Sequence, residues 1–272
     1  MAGFLACKKI RKENEVIDLA EKQILLEAEN IIKDYGEGNV LNGFSLRIHK
    51  GEVIVLIGPS GCGKSTFLRC MNGLEKIQSG QIIFDGKVIT DGKTDWTKIR
   101  QKIGMVFQNY ELFPHMSVID NIVLGPVKVQ GRDKKEVAKE AERLLARVGL
   151  LDRKDAYPRQ LSGGQKQRVA IIRALILKPE ILMFDEVTAA LDPEMVREVL
   201  DVILELASEG YTMLIVTHEM QFARAVADKI VFIDGGKIVE SNEPEMFFNQ
   251  PKTERTKKFL NTFTYAKGGE RE

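Results

Sequence analysis

Short apolar runs and helical stripes alternate along this chain in an order that sorts it into layers. Val53-Ile54-Val55-Leu56-Ile57, Ile181-Leu182-Met183-Phe184 and Met213-Leu214-Ile215-Val216 are continuous apolar runs with no polar alternation. A strand reads this way when both of its faces are buried, as in a parallel sheet. Residues 26–33 and 44–48 instead alternate in part, the pattern of strands with one wetter face. Gln81-Ile82-Ile83-Phe84 and Lys87-Val88-Ile89 flank Asp85-Gly86, a hairpin signal, and residues 230–239 turn back around Asp234-Gly235-Gly236. The first third therefore predicts a β-rich layer. Farther on, Asp133 opens a helix with Glu136 three residues later, a capping-box spacing. Val137, Ala141, Leu144, Leu145 and Val148 fall on one face of it, and Gly149 ends it. Residues 108–160 read as a mainly helical insert. A helical run covers residues 165–177, and Asp192-Pro193 caps another helix that reaches Gly210.

Composition narrows the class. The chain has 272 residues and a net charge of +1, with no basic block that would announce nucleic acid. Three cysteines, Cys7, Cys62 and Cys70, are too few and too irregular for a disulfide framework or a zinc site. This predicts a reducing, cytosolic setting. No apolar run approaches the roughly 18–20 residues of a spanning helix. If the protein works at a membrane, a partner must hold it there. Residues 1–25 are charged and weakly amphipathic, the expectation being a mobile extension before a domain at 26–263 and a tail at 264–272.

Chemistry concentrates at three places. Gly58-Pro59-Ser60-Gly61-Cys62-Gly63-Lys64-Ser65-Thr66 lies between the first buried strand and a helix, the setting a phosphate loop requires. Its glycines let backbone N–H groups curl around phosphate oxygens, and the helix start favours an anion. Lys64 is placed for the β- and γ-phosphates, and the Ser65 hydroxyl for Mg²⁺. Cys62, inside the loop, is either a thiol whose alkylation blocks the nucleotide or a small filler. The second buried strand ends in Asp185-Glu186: Asp185 is placed to bind Mg²⁺ and Glu186 to act as general base on water. Leu161-Ser162-Gly163-Gly164-Gln165 opens a helix and makes a second anion-type helix start, unless Ser162 is a plain cap. One ATP needs only one such start within a monomer. The second is therefore expected to serve a nucleotide held by another copy, in a symmetric head-to-tail dimer.

Taken in order, residues 58–66, Gln108 after Val106-Phe107, residues 161–165, Met183-Phe184-Asp185-Glu186, Leu191-Asp192 and His218 resemble the ATPase subunit of ABC transporters over residues 26–263. The resemblance implies an α/β fold: a P-loop NTPase, ABC-type ATPase core with an antiparallel β layer and a mainly helical subdomain. It implies that Tyr35 stacks on adenine, that Gln108 completes the Mg²⁺ and water environment, that His218 contacts the γ-phosphate, and that Asp192 touches the partner copy. Asp192 is also a plausible cap for the helix at Pro193. One departure stands out: family members usually read Asp-Glu-Pro-Thr-Ser-Ala-Leu-Asp, and here Val187 and Ala189 replace the proline and the serine. Val187 lacks the fixed φ of proline, which bears on how Glu186 is positioned.

Gly210-Tyr211-Thr212-Met213, Val216-Thr217-His218-Glu219-Met220 and the segment from Pro251 to Leu260 resemble the polar amino acid importers. The chain ends soon after Phe263, so no further regulatory domain is expected. The resemblance implies a homodimer sandwiching two ATP molecules with Mg²⁺, two integral-membrane permease subunits, an extracytoplasmic solute-binding protein, and a peripheral place on the cytoplasmic face of the membrane. Tyr110, Leu112 and Phe113 are a candidate patch for a permease helix. The competing reading is a soluble ABC ATPase with no permease, or a subunit for a different solute.

Overall fold

The computed structural model describes residues 23–36 and 38–263; most of the expected N-terminal extension and the 264–272 tail lie outside them. Two sheets form the frame. The first holds β1 (Ile24–Asp34), β2 (Asn39–His49), β4 (Ser79–Phe84) and β5 (Lys87–Val88), antiparallel in the order β2-β1-β4-β5. The second holds β3 (Val53–Ile57), β6 (Ile103–Val106), β7 (Ile181–Asp185), β8 (Thr212–Val216), β9 (Lys229–Asp234) and β10 (Lys237–Asn242) in the order β10-β9-β3-β8-β7-β6. Every pair there is parallel except β10 on β9. The main expectations hold with shifted edges: β1 begins at Ile24, and β5 stops one residue short of Ile89.

The continuous apolar runs explain themselves. All five residues of β3, of β7 and of β8 are buried, because material covers the sheet on both sides. Alternate residues along β3 serve different cores. Val53, Val55 and Ile57 face the cluster that contains the later helices, while Ile54 and Leu56 face the antiparallel sheet. Between the two sheets runs α1 (Lys64–Met71), whose Phe67, Leu68, Cys70 and Met71 are buried. The Phe67 ring lies 4.2 Å, centroid to centroid, from that of Phe44 in β2. That pair clamps the phosphate-loop helix to the antiparallel layer.

On the outer face, α2 (Trp96–Lys102) precedes β6, and α3 (Val118–Gln130) and α4 (Lys134–Arg147) follow it. The Asp133 carboxylate accepts from the amides of Lys135 and Glu136, and Val137, Ala141 and Leu145 are buried on one stripe. Gly149 sits at φ 68°, the left-handed turn that ends the helix. Buried Asn121 ties the loop before α3 together, donating to the carbonyls of Phe113, Met116 and Ser117 and accepting from the Phe113 amide. Then come α5 (Gly163–Leu175), α6 (Pro193–Ser208), α7 (Met220–Val226), α8 (Pro244–Asn249) and α9 (Glu254–Asn261). Helix α5 starts two residues before the expected run because Ser162 caps it.

The Phe44–Phe67 clamp is testable. Both rings are 1% exposed, so Phe67→Ala leaves a cavity and should cost ~3–5 kcal/mol of unfolding free energy in a urea titration. A loss below ~1 kcal/mol would mean that α1 is held by something else.

Candidate active site

Parallel strands of one sheet end at the same edge, and here four of them end in site residues. Strand β3 runs into Gly58, β7 ends at Asp185 and Glu186, β8 is followed by Thr217 and His218, and β6 by Phe107 and Gln108. The registers align them: Leu56 pairs with Val216, Val216 with Asp185, and Phe184 with Val106.

Real contacts join most of the cluster. The Ser65 hydroxyl donates to Asp185 Oδ1 at 2.6 Å. Lys64 Nζ donates to the carbonyls of Gly58 and Pro59, each at 2.9 Å, and lies 3.9 Å from Glu186 Oε1. His218 Nε2 sits 3.1 Å from the same Glu186 oxygen. Arg69, one turn along α1 from Ser65, brings Nη2 to 4.0 Å from Asp185 Oδ2. Nothing in the motif spacing pointed to Arg69. Burial pushes the Asp185 carboxyl above its ordinary range, against the opposing pull of Ser65 and Arg69. Glu186 goes the other way, because its hydrogen bond with His218 outweighs its burial and favours the carboxylate.

The loop is shaped by contacts that only glycine allows. Gly63 sits at φ 102°, and a Cβ there would come within 2.7 Å of the Val40 carbonyl in β2. A Cβ on Gly58 would overlap the Ile233 carbonyl at the end of β9. No side chain caps α1 and its first turn holds no acid, so the helix start is open to an anion. The described residues contain no group of three or more His, Cys, Asp or Glu able to hold a metal by themselves. Magnesium needs no such group: it commonly takes one or two protein ligands and fills the rest with water and phosphate oxygens. Ser65 and Asp185 fit that use.

Glu186 adopts φ 47°, a left-handed backbone costly for a non-glycine residue. Its amide donates to the Val216 carbonyl at 3.1 Å, and its carbonyl accepts from Ala189. Val187 is 4% exposed and belongs to the core cluster. The Glu186 turn is thus bonded to β8 on one side and followed by a residue anchored in the core on the other.

The other expected residues lie apart. Tyr35 is 54% exposed just past β1, with Lys33 Nζ 4.4 Å from its ring centroid. Gln108 is exposed beyond β6. Leu161 is buried, and Ser162 is the cap of α5: its hydroxyl accepts from the Gln165 amide while the Gln165 side chain accepts from the Ser162 amide. Gly163 packs against Tyr110 and Leu191, and the Gly164 amide points at Met195 Sδ at 3.4 Å. Asp192 needs a correction: it occupies the residue before α6, but its side chain makes no capping hydrogen bond. The amides of Glu194 and Met195, which a cap would serve, receive nothing from it, while the fixed φ of Pro193 is already set for the helix.

Comparison with known proteins agrees with this geometry. The profile described as ABC transporter matches residues 41–189. The chain is 53% identical over 236 residues to the glutamate/aspartate import ATP-binding protein GltL of Escherichia coli K12, covering 87% of this chain and 98% of that protein. It is 54% identical over 236 residues to the glutamine transport ATP-binding protein GlnQ of Bacillus subtilis 168, with the same coverage. The dimeric post-hydrolysis structure of the ATP-binding cassette MJ0796 bound to ADP and Pi superposes with a TM-score of 0.72 at 31% identity, over 81% of this chain and 99% of that one. The chain belongs to the ABC transporter family. It is an ABC-type ATPase with the P-loop fold, and ATP and Mg²⁺ are its ligands. Among the described residues, no helix is long and apolar enough to cross a membrane.

Of the two readings of Cys62, the geometry favours the filler. Its side chain is 6% exposed beneath the loop, beside Gly58, and burial pushes its thiol above the ordinary range. Cys70 is 1% exposed and pushed up to about 12. The thiolate is the reactive form, so both should be inert. With Cys7 replaced by serine, iodoacetamide at neutral pH should label neither cysteine in the folded protein, with or without ATP, and both in urea. Rapid labelling of Cys62 that ATP blocks would restore the reactive reading.

Proposed function

We propose that this chain energises the import of a polar amino acid, working as a homodimer that closes over two ATP molecules on the cytoplasmic face of the membrane. The observation that carries the proposal is the chain of contacts Ser65–Asp185 and Lys64–Glu186–His218 along one sheet edge. The solute class rests on relatives named for glutamate, aspartate, glutamine and arginine. Residues 26–263 are read as the ATPase domain, with its helical subdomain at about 108–160.

In this reading the loop amides of residues 58–66 wrap the phosphates, Lys64 neutralises the β- and γ-phosphate oxygens, and Tyr35 presents its free face to the adenine. Ser65, Asp185 and Gln108 hold Mg²⁺, which supplies charge to the phosphate oxygens when bound. Glu186, kept ionised and aimed by His218, accepts a proton from the attacking water; His218 also reaches the γ-phosphate. Residues 161–165 of the second copy close the site, with Asp192 at the dimer contact. The cap of α5 is compatible with that role. Ser162 and Gln165 satisfy each other's amides, whereas the Gly164 amide has only a thioether, a weak acceptor that a phosphate oxygen would displace.

A groove of about 960 Å³ between the end of α1 and helices α3 and α5 supports a permease partner. Leu74, Phe113, Leu124 and Val129 give it an apolar lining, and Arg100 and Arg173 add guanidinium groups. Leu74 and Phe113 are 45% and 41% exposed. Tyr110 and Leu112 instead pack against the core cluster, which narrows the expected patch to Phe113. The solute-binding protein would engage through the permease.

Two experiments test the reading. Glu186→Gln should bind ATP, form an ATP-dependent dimer in size-exclusion chromatography, and lose at least on the order of 100-fold in kcat; unchanged turnover would remove Glu186 from the chemistry. Permease subunits should copurify with the wild-type chain from detergent-solubilised membranes, and Phe113→Asp should cut that yield about tenfold, as loss of one buried aromatic anchor does. A wild-type chain that brings down no membrane protein would instead be a soluble ABC ATPase.

A further inference from the structure

We infer that Gln167 and Arg173 are positioning residues that strap the backbone carrying Gln108 to helix α5, so that the helix offered to one nucleotide sets the glutamine offered to the other. The inference rests on the roles proposed above for Gln108 and for residues 161–165.

The strap is visible as three carbonyls held by two side chains. Gln167, fully buried, donates from Nε2 to the carbonyl of Phe107 at 3.2 Å. Two turns farther along α5, Arg173 Nη2 donates to the Tyr110 carbonyl at 3.1 Å, and its Nη1 donates to the Glu111 carbonyl. These contacts bracket Gln108 on both sides. At the other end of the helix, the Tyr110 hydroxyl packs against Gly163, where a Cβ would come within 2.9 Å of it, and Lys166 Nζ lies 5.9 Å from the Tyr110 ring centroid. Helix α5 therefore touches the Gln108 segment from its first residue to its third turn.

Two features argue that this is more than packing. Tyr110 and Glu111 are consecutive non-glycine residues in the left-handed region, at φ 62° and 50°, and the Glu111 amide donates to the Asn109 carbonyl, an i to i+2 contact around Tyr110. Such tight, strained turns persist only where the surroundings impose them, and Arg173 grips both of these residues. Gln167 Oε1, meanwhile, is buried without a partner. Methionine would fill the same space without an orphaned acceptor, so core packing alone gives no reason for an amide there. Its one made bond runs to the residue before Gln108. A shift of α5 toward a partner's nucleotide must then drag the Gln108 backbone or break that bond.

The test is a double-mutant cycle in the full-length chain, reading kcat, ATP KM and melting temperature for Gln108→Ala, Gln167→Met and the pair. We expect Gln167→Met to lower kcat about tenfold with KM changed less than about twofold. In the pair the second substitution should cost nothing further, because a residue that acts through Gln108 has no effect once Gln108 is gone. Arg173→Gln paired with Gln108→Ala is read in the same way. Losses that multiply in the pairs, an unchanged kcat for Gln167→Met, or loss of folding in both strap variants would make these side chains structural props and overturn the inference. Full turnover by Gln108→Ala alone would instead sink the role given to Gln108.

Discussion

Burial of the parallel sheet on both faces is the constraint from which the site follows. Strands β3, β7 and β8 have no exposed residue, so charge has no place along their length and collects where they end. Asp185 shows the cost of even that position: it is the last residue of β7, 3% exposed, and burial has raised its carboxyl's proton affinity despite the favourable pull of Ser65, Arg69 and Lys64. A divalent cation would relieve such a carboxylate, which ties the fold's dryness to the chemistry at its edge. The same constraint explains why the phosphate-loop helix lies between the sheets. Its buried Phe67, Leu68 and Met71 need the antiparallel layer as a floor, and that layer returns the Val40 carbonyl against Gly63 to shape the loop.

Glu186 depends on the sheet in a different way. Its left-handed backbone is held by the Val216 carbonyl of the next strand and by a valine anchored in the core. A proline at position 187 would confine the chain by covalent geometry, whereas the valine here is packed into the core. Packing can yield where a ring cannot, so the Glu186 turn is tied to the integrity of the cluster beneath it.

Much of this was legible in the sequence, for reasons that are local. Unbroken runs such as residues 53–57 declare two buried faces, Asp133 and Gly149 mark the ends of one helix, and the 58–66 loop needs only its flanking strand and helix to be read. What escaped was tertiary. Arg69 meets Asp185 across 116 positions of chain, and no spacing rule links them. Asp192 has the sequence sign of a cap, Asp before Pro, yet its carboxylate accepts from neither of the amides that follow Pro193, and no spacing rule foretells that. For Cys62 the sequence leaves a reactive thiol and a small filler equally open; its neighbours in space, the Gly58 turn and the core beneath, favour the filler. Tyr110 and Glu111 carry no sequence sign of left-handed backbone, because tertiary contacts rather than residue preference put them there.

The geometry also explains why half a site is the natural unit. Lys64 leans on two loop carbonyls and on Glu186 within its own chain, while Gly163 and Gly164 are turned to Tyr110, Leu191 and Met195. Moving α5 toward the loop of its own copy would have to break its hold on residues 107–111. In the proposed dimer the start of α5 from a second copy would meet the loop with that hold kept, the Gly164–Met195 contact alone giving way to a phosphate oxygen. A two-fold arrangement would repeat the same junction twice, so that a change in α5 would be felt at both sites.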